Sequence, residues 1–300
     1  MAKSYTKYLS TLDIPSSKTI IITGGNSGIG FAVAKYLLQY DWHIIIATRN
    51  LKRGEDAKSK LLAIKEDAKV DVYQLDVSSR SSINEFAKEI IDAKIDVDCF
   101  YANAGAYRIP YQESEEGFEM TFATNYIGNI LLYEAFKDYF QSLGHVVKFI
   151  QTSSVLAHFG HAHEIDLYGG KKYHKAKAYS KSKIAVNMFH EELCRIDTKN
   201  ILPLLVHPGV TYTPLIEKAY HGKRFQLAAN RFLRLFTHTV DKAALSTLYL
   251  LQPAITSSCF CGPRGLFHIA GYPRIYPLYR GNIKKGRAFV AYTKDKLGLK

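Results

Sequence analysis

Acidic residues are scarce in this 300-residue chain, long apolar runs are missing, and the four cysteines follow no pairing pattern. The longest apolar runs, such as Thr19–Ile22 and Ile44–Ala47, fall far short of the roughly 20 residues that span a bilayer. Met1–Lys18 is polar and has no apolar stretch of the kind a secretory signal requires. Cys99, Cys194, Cys259 and Cys261 form neither the double Cys-x-x-Cys of a zinc site nor a disulfide framework. We therefore expect no transmembrane segment, no metal, and a reduced, cytoplasmic compartment. With 40 Lys and Arg against 27 Asp and Glu, the formal net charge is +13. Such an excess suits nucleic acid, an anionic membrane surface or phosphorylated ligands. The basic residues are scattered, with one denser stretch at Arg280, Lys284, Lys285, Arg287, Lys294, Lys296 and Lys300. No nucleic-acid module signature accompanies them. A solvated surface without a nucleic-acid partner is expected, with weak anionic-surface binding by the tail left open.

What is present reads as an ordinary globular chain, 47% hydrophobic and 22% charged, with ample length for a core. Short β-branched runs alternate with amphipathic stretches. Strands are expected at Thr19–Thr23, His43–Thr48, Val70–Leu75, Val97–Ala102, His145–Thr152, Ile201–Val206 and Gly265–Ile269. Helices are expected at Ile29–Tyr40, Arg53–Glu66, Ile83–Ala93, Glu115–Ser142, the segment after Tyr179, and Asp241–Leu251. This alternation predicts an α/β fold, a mostly parallel sheet of about seven strands with helices on both faces. No repeat or linker divides the chain, so residues 1–300 read as one domain. A substrate-loop region is expected at about 210–240 and a basic tail at about 280–300.

Two features carry chemistry. Gly24, Asn26, Ser27, Gly28, Ile29 and Gly30 form a glycine-rich turn between the first strand and the first helix. Glycines let the backbone approach a pyrophosphate, and the helix N-terminus offers free N–H groups. Tyr179 and Lys183 stand one helical turn apart, where an ammonium is expected to lower the phenol's pKa and make it a proton donor or acceptor. The same spacing joins Tyr168 to Lys172 and Tyr173 to Lys177. Tyr168 is followed by two glycines, and Tyr173 lies in a basic stretch without an apolar stripe. After Tyr179, Ile184, Ala185, Met188, Phe189, Leu193 and Ile196 recur at helical spacing, so this pair shares a helix face.

At the end of the second strand stand Arg49 and Asn50. A carboxylate there would accept from a ribose 2′-OH, whereas an arginine accommodates a 2′-phosphate. Arg49 therefore points to NADP(H) over NAD(H), with Lys52 and Arg53 adding positive field. Asp76, beside Val77, suits either an adenine contact or a helix N-cap before Ser78-Ser79.

Together these residues resemble the short-chain dehydrogenase/reductase family. Gly24, Gly28 and Gly30 match its Thr-Gly-x-x-x-Gly-x-Gly turn, and Asn103-Ala104-Gly105 its Asn-Ala-Gly. Asn125, Ser154, Tyr179 and Lys183 match its active-site residues, and Pro208-Gly209-Val210-Thr211 the Pro-Gly segment that covers the nicotinamide. The matches run in family order from residue 19 to about 270. Ala47-Thr48-Arg49-Asn50-Leu51-Lys52-Arg53-Gly54, Ser153-Ser154-Val155 and His207-Pro208-Gly209-Val210 resemble the retinol dehydrogenase and WW-domain oxidoreductase-like branch. So does the wide gap between Ser154 and Tyr179. The N-terminal anchor of several retinoid enzymes is not seen, so a soluble relative is expected.

The resemblance implies a doubly wound Rossmann-type domain and a reaction interconverting a carbonyl and an alcohol by hydride transfer. Tyr179 would be the general acid/base, Ser154 would orient the carbonyl oxygen, and Lys183 would bind the nicotinamide ribose. Asn125, with Lys183 and water, would return the proton. Ser153 is the residue most easily mistaken for Ser154. Choice among small, lipophilic carbonyl compounds is expected to lie in His158–Lys177 and Thr213–Thr239. His158, His161, His163 and His174 match no zinc template. A non-catalytic NADP sensor and a nucleotide-sugar epimerase are the competing classes.

Overall fold

The computed structural model describes residues 7–159, 167–170, 173–196, 198–211, 239–265, 270–277 and 283–299. Its strands are β1 (Thr19–Thr23), β2 (His43–Thr48), β3 (Val70–Gln74), β4 (Cys99–Ala102), β5 (Val147–Thr152), β6 (Ile201–Val206), β7 (Phe260–Pro263) and β8 (Pro273–Tyr276). The main helices are α1 (Gly28–Leu37), α2 (Leu51–Leu62), α3 (Arg80–Asp92), α4 (Gly128–Ser142), α5 (Lys175–Arg195), α6 (Val240–Leu250) and α7 (Ile283–Lys296). The strands form one sheet in the order β3-β2-β1-β4-β5-β6-β7-β8. All neighbours are parallel except β7 and β8.

Covered on both faces, the central strands are apolar throughout rather than alternating with polar residues. Successive side chains nevertheless point to opposite layers. Ile21, Ile45, Phe100 and Phe149 face a core shared with α3, α4, α5 and α7. Ile20, Ile22, Ile44, Ile46 and Tyr101 face a second core shared with α1, α2 and α6. Each fully buried isoleucine contributes about 1.5–3 kcal/mol of burial. The order in which strands are added reverses between β1 and β4, which opens a crevice at their carboxyl ends.

Four expectations need correction. The helix read from Glu115 begins at Met120, because Gly117 takes φ +78° in a turn and the Glu119 carboxylate caps the N–H groups of Thr121 and Phe122. The last parallel strand is Phe260–Pro263, not Gly265–Ile269; Gly265 lies in a bend and 266–269 fall outside the described residues. An antiparallel partner, Pro273–Tyr276, was not anticipated. The basic tail contains a helix, α7, which buries Val290, Thr293 and Leu297 while leaving Lys285 and Arg287 exposed. Among the described residues no helix is long and apolar enough to cross a membrane.

Before α4 the chain passes through one α-turn, Met120–Phe122, and a π-turn, Ala123–Ile127. The wide π-turn places Asn125 on the interior side. α4 then starts at Gly128, where an added Cβ would lie 2.3 Å from the Val77 carbonyl oxygen. We expect Gly128→Ala to destabilise the fold by about 1–3 kcal/mol, the usual scale for overpacking. Urea denaturation reads this directly; an unchanged midpoint would refute the close approach.

Candidate active site

The glycine turn is shaped by position. Gly24 and Gly28 adopt φ +65° and +58°, a region costly for residues with a Cβ. Ser27 precedes α1 without making a side-chain cap, so the helix start keeps N–H groups available for an anion. Gly30 has a different role: an added Cβ would lie 2.7 Å from Asn103 Nδ2. It lets α1 approach the loop after β4. That loop is tied to β1, because the buried Thr23 hydroxyl accepts from the backbone N–H groups of Asn103 (3.0 Å) and Ala104 (2.9 Å). Asn103 Nδ2 donates to the Thr23 carbonyl at 2.9 Å. Thr23 ends β1 and opens the glycine turn; its bonds to the loop after β4 were not anticipated.

Along β2, the Thr48 hydroxyl donates to Asn26 Oδ1 at 3.1 Å, and Asn50 caps α2 by accepting from the Arg53 N–H at 3.0 Å. The exposed Arg49 guanidinium lies 3.7 Å from the Asp76 carboxylate. Asp76 accepts from the Ser78 N–H (2.9 Å) and hydroxyl (2.6 Å). The N-cap of α3 is Ser79, so the N-cap reading of Asp76 is corrected.

At the other end, Ser153 and Ser154 part company. Ser153 is buried and donates to Asn187 Oδ1 at 2.6 Å. Ser154 lines the cleft beside Tyr179, its hydroxyl accepting from the Leu156 N–H at 3.2 Å. Lys183 is buried, its ammonium donating to the Thr152 carbonyl at 2.8 Å and standing 5.8 Å from the Tyr179 ring centre. Asn125 is fully buried: its Oδ1 accepts from the Ala106 N–H (2.7 Å), and Nδ2 donates to the Ala106 carbonyl (3.0 Å) and the Ser182 hydroxyl (2.9 Å). Ser182 donates onward to the Tyr179 carbonyl at 2.8 Å. His174 caps α5 by accepting from the Lys177 N–H at 3.4 Å. The remaining candidate histidines fall outside the described residues or have undescribed side chains. Among the described residues no group of His, Cys, Asp or Glu is placed to hold a metal.

The electrostatics differ from expectation. Burial pushes the Tyr179 phenol above its ordinary value, with the nearby Ser154 hydroxyl pulling it partly back. Burial also pushes Lys183 down, to about 8. Desolvation, rather than the neighbouring ammonium, sets the direction of the phenol's shift. Spacing alone is a poor guide here, because Tyr292 and Lys296 on α7 share it at an exposed surface.

A cleft of about 930 Å³ gathers these residues. Gly24, Asn26, Ser27, Gly28, Ile29, Arg49, Asn50, Asp76 and Val77 line one end. Asn103, Ala104, Gly105, Ser154, Tyr179, Lys183, Pro208, Gly209, Val210 and Thr211 line the rest. Gly30 and Asn125 stand behind the wall. Tyr107, Ile109, Gln112, Met120 and Leu156 also line it; as members of irregular segments or turns, they gave no periodic signal. The expected substrate stretches are largely beyond view, since 160–166, 171–172 and 212–238 lie outside the described residues.

Residues 18–224 match the short chain dehydrogenase family. The chain belongs to that family. It is 35% identical to human retinol dehydrogenase 13 over 211 residues, 69% of this chain and 63% of the relative. It is 32% identical over 243 residues to the short-chain dehydrogenase TIC 32 A, chloroplastic, of Brassica napus, covering 77% of this chain and 75% of the relative. An uncharacterized Mycobacterium paratuberculosis protein superposes with TM-score 0.73 at 26% identity, covering 96% and 97% of the two chains. The NADPH-dependent 3-quinuclidinone reductase of Rhodotorula rubra shares the fold, with TM-score 0.64 at 22% identity over 84% and 92%. This chain is an oxidoreductase of the retinol dehydrogenase-like branch.

The buried lysine offers a test independent of turnover. Between about pH 8 and 10.5 the unfolded chain holds a proton that folded Lys183 has released, so stability rises with pH across that window. Relative to Lys183→Met, wild type without added nucleotide should gain on the order of 3 kcal/mol from the lower to the upper limit. Parallel urea titrations of the two proteins would overturn the assignment if their difference stayed flat.

Proposed function

We propose that this chain interconverts a carbonyl and an alcohol by hydride transfer with NADP(H), with Tyr179 as general acid/base. The observation that carries the reading is the gathering of Ser154, Tyr179 and Lys183 in the same cleft as the glycine turn and the uncapped start of α1. The residues present fit a dinucleotide. Gly24, Gly28 and the first N–H groups of α1 suit the pyrophosphate, Asp76 and Val77 the adenine end, and Lys183 the nicotinamide ribose. Asn103–Gly105 and Pro208–Thr211 supply the walls between. Arg49 supports NADP(H): it is 76% exposed at the cleft, and β2 is followed by Arg49 and Asn50 rather than a carboxylate.

When bound, NADPH supplies the hydride. Ser154 orients the carbonyl oxygen toward the phenol, and Tyr179 delivers its proton to that oxygen as negative charge develops there. With burial raising the phenol's pKa, Tyr179 holds the proton that carbonyl reduction consumes. Lys183 and water return the proton, while Asn125 fixes the adjoining turn through Ala106 and Ser182. The substrate is a small, lipophilic carbonyl compound, consistent with Ile109, Met120 and Leu156 in the cleft wall.

We expect Tyr179→Phe to lower carbonyl reduction by about 10²–10⁴-fold, the range for lost general acid–base catalysis. NADPH affinity, followed by cofactor fluorescence, should stay within about threefold of wild type, because the proton-donating hydroxyl is the only group lost. Undiminished turnover would remove Tyr179 from the mechanism. NADPH binding with no turnover of any aldehyde, ketone or quinone by wild type would favour a sensor instead. For Arg49→Ala we expect NADPH affinity to fall by roughly tenfold or more, the scale of a lost charge-assisted bond. NADH affinity should hardly change. Equal losses for both would show that Arg49 does not read the 2′-phosphate.

A further inference from the structure

We propose that Tyr107 is the specificity-determining residue of this site, selecting carbonyl compounds with a flat group next to the carbonyl carbon. This rests on the functional reading above. Tyr107 lines the cleft, and its ring packs perpendicular to that of Tyr179, with centres 4.6 Å apart and planes at 86°. A substrate whose oxygen meets the Tyr179 hydroxyl therefore places its neighbouring carbons beside Tyr107. Ile109, Gln112, Met120, Val155 and Leu156 line the same cleft.

The backbone makes this wall firm. Ala106, immediately before Tyr107, is held at both N–H and carbonyl by Asn125. Arg108, immediately after, takes φ +52°, a conformation that non-glycine residues keep only where surroundings over-determine it. The same Asn125 side chain reaches Tyr179 through Ser182. Both rings are thus referenced to one amide, and the wall they form together cannot easily recede to admit a bulkier shape. A rigid aromatic wall favours planar partners, whose edges and faces match its quadrupole.

The test compares kcat/KM with NADPH for benzaldehyde and cyclohexanecarbaldehyde, which have equal carbon counts but differ in flatness. Tyr107→Phe should keep the wild-type ratio. Tyr107→Leu, which retains bulk without the ring, should lower the ratio about five- to tenfold, through KM for benzaldehyde, with the pH profile of kcat unmoved. Equal losses for both aldehydes, or a displaced pH profile, would make Tyr107 a brace for Tyr179 and overturn the proposal. Wild-type turnover of other carbonyl compounds but neither aldehyde would overturn it too, leaving the reaction class intact. No turnover of any carbonyl compound would instead remove the reading on which it rests.

Discussion

The Thr23 hydroxyl accepts two backbone N–H groups from the loop after β4, and Asn103 returns a third bond to the Thr23 carbonyl. These bonds join the carboxyl ends of β1 and β4, the two strands between which the sheet reverses its order of addition. A reversal point otherwise leaves two loops diverging from adjacent strands, with backbone groups unsatisfied on the crevice side. Tying them together fixes the distance between the glycine turn and the Asn-Ala-Gly segment. Gly30 completes the seam, since any side chain there would displace the Asn103 amide. The glycine-turn end of the cleft is thereby built into the same joint as the sheet.

The reactive end hangs from the other side of that joint. Gly105 leads to Ala106, which Asn125 grips, and Asn125 is brought inward by the π-turn that precedes α4. From Asn125 the contacts pass through Ser182 to the backbone of Tyr179. The loop after β4, a helix bulge and α5 therefore meet in one buried polar network. Such networks define a unique arrangement when every member is satisfied. Its members serve geometry, which explains why Asn125 stands behind the cleft wall.

Much of this was legible in the chain because the physics is local. Strand–glycine turn–helix is read from adjacent residues, and β1, β2 and β6 agree with their expected bounds since apolar β-branched runs flanked by turn residues leave little choice. Arg49 follows from its place at a strand end. The failures are equally physical. Phe260–Pro263 contains a glycine and a proline and looks unlike a strand; β6 and β8 on either side give it its partners. The start of the helix before α4 depended on a glycine turn and a glutamate cap that apolar spacing does not register. Tyr107 and Thr23 act through contacts between loops, and no period links them. The direction of the Tyr179 shift was missed because sequence shows the neighbouring lysine but not how much water both groups lose.

That loss of water places the energetic cost of the fold at its functional centre. Lys183 is an ammonium buried against a carbonyl oxygen with no carboxylate among the described hydrogen-bond and ion-pair partners of its nitrogen, and its depressed pKa measures the penalty. A methionine of similar length would be better tolerated by the core, since apolar replacements of buried charges are often neutral or stabilising. Retaining the charge makes physical sense if the site needs a cation beside the Tyr179 phenol in a low-dielectric space, where a fixed charge acts with little screening. The sheet, with Ile20, Ile21, Ile22, Ile44, Ile45 and Ile46 fully buried, supplies the surplus stability that tolerates such a residue. Local inconsistency at Lys183 and consistency everywhere around it is the pattern expected when a sequence holds a reactive group on a rigid frame.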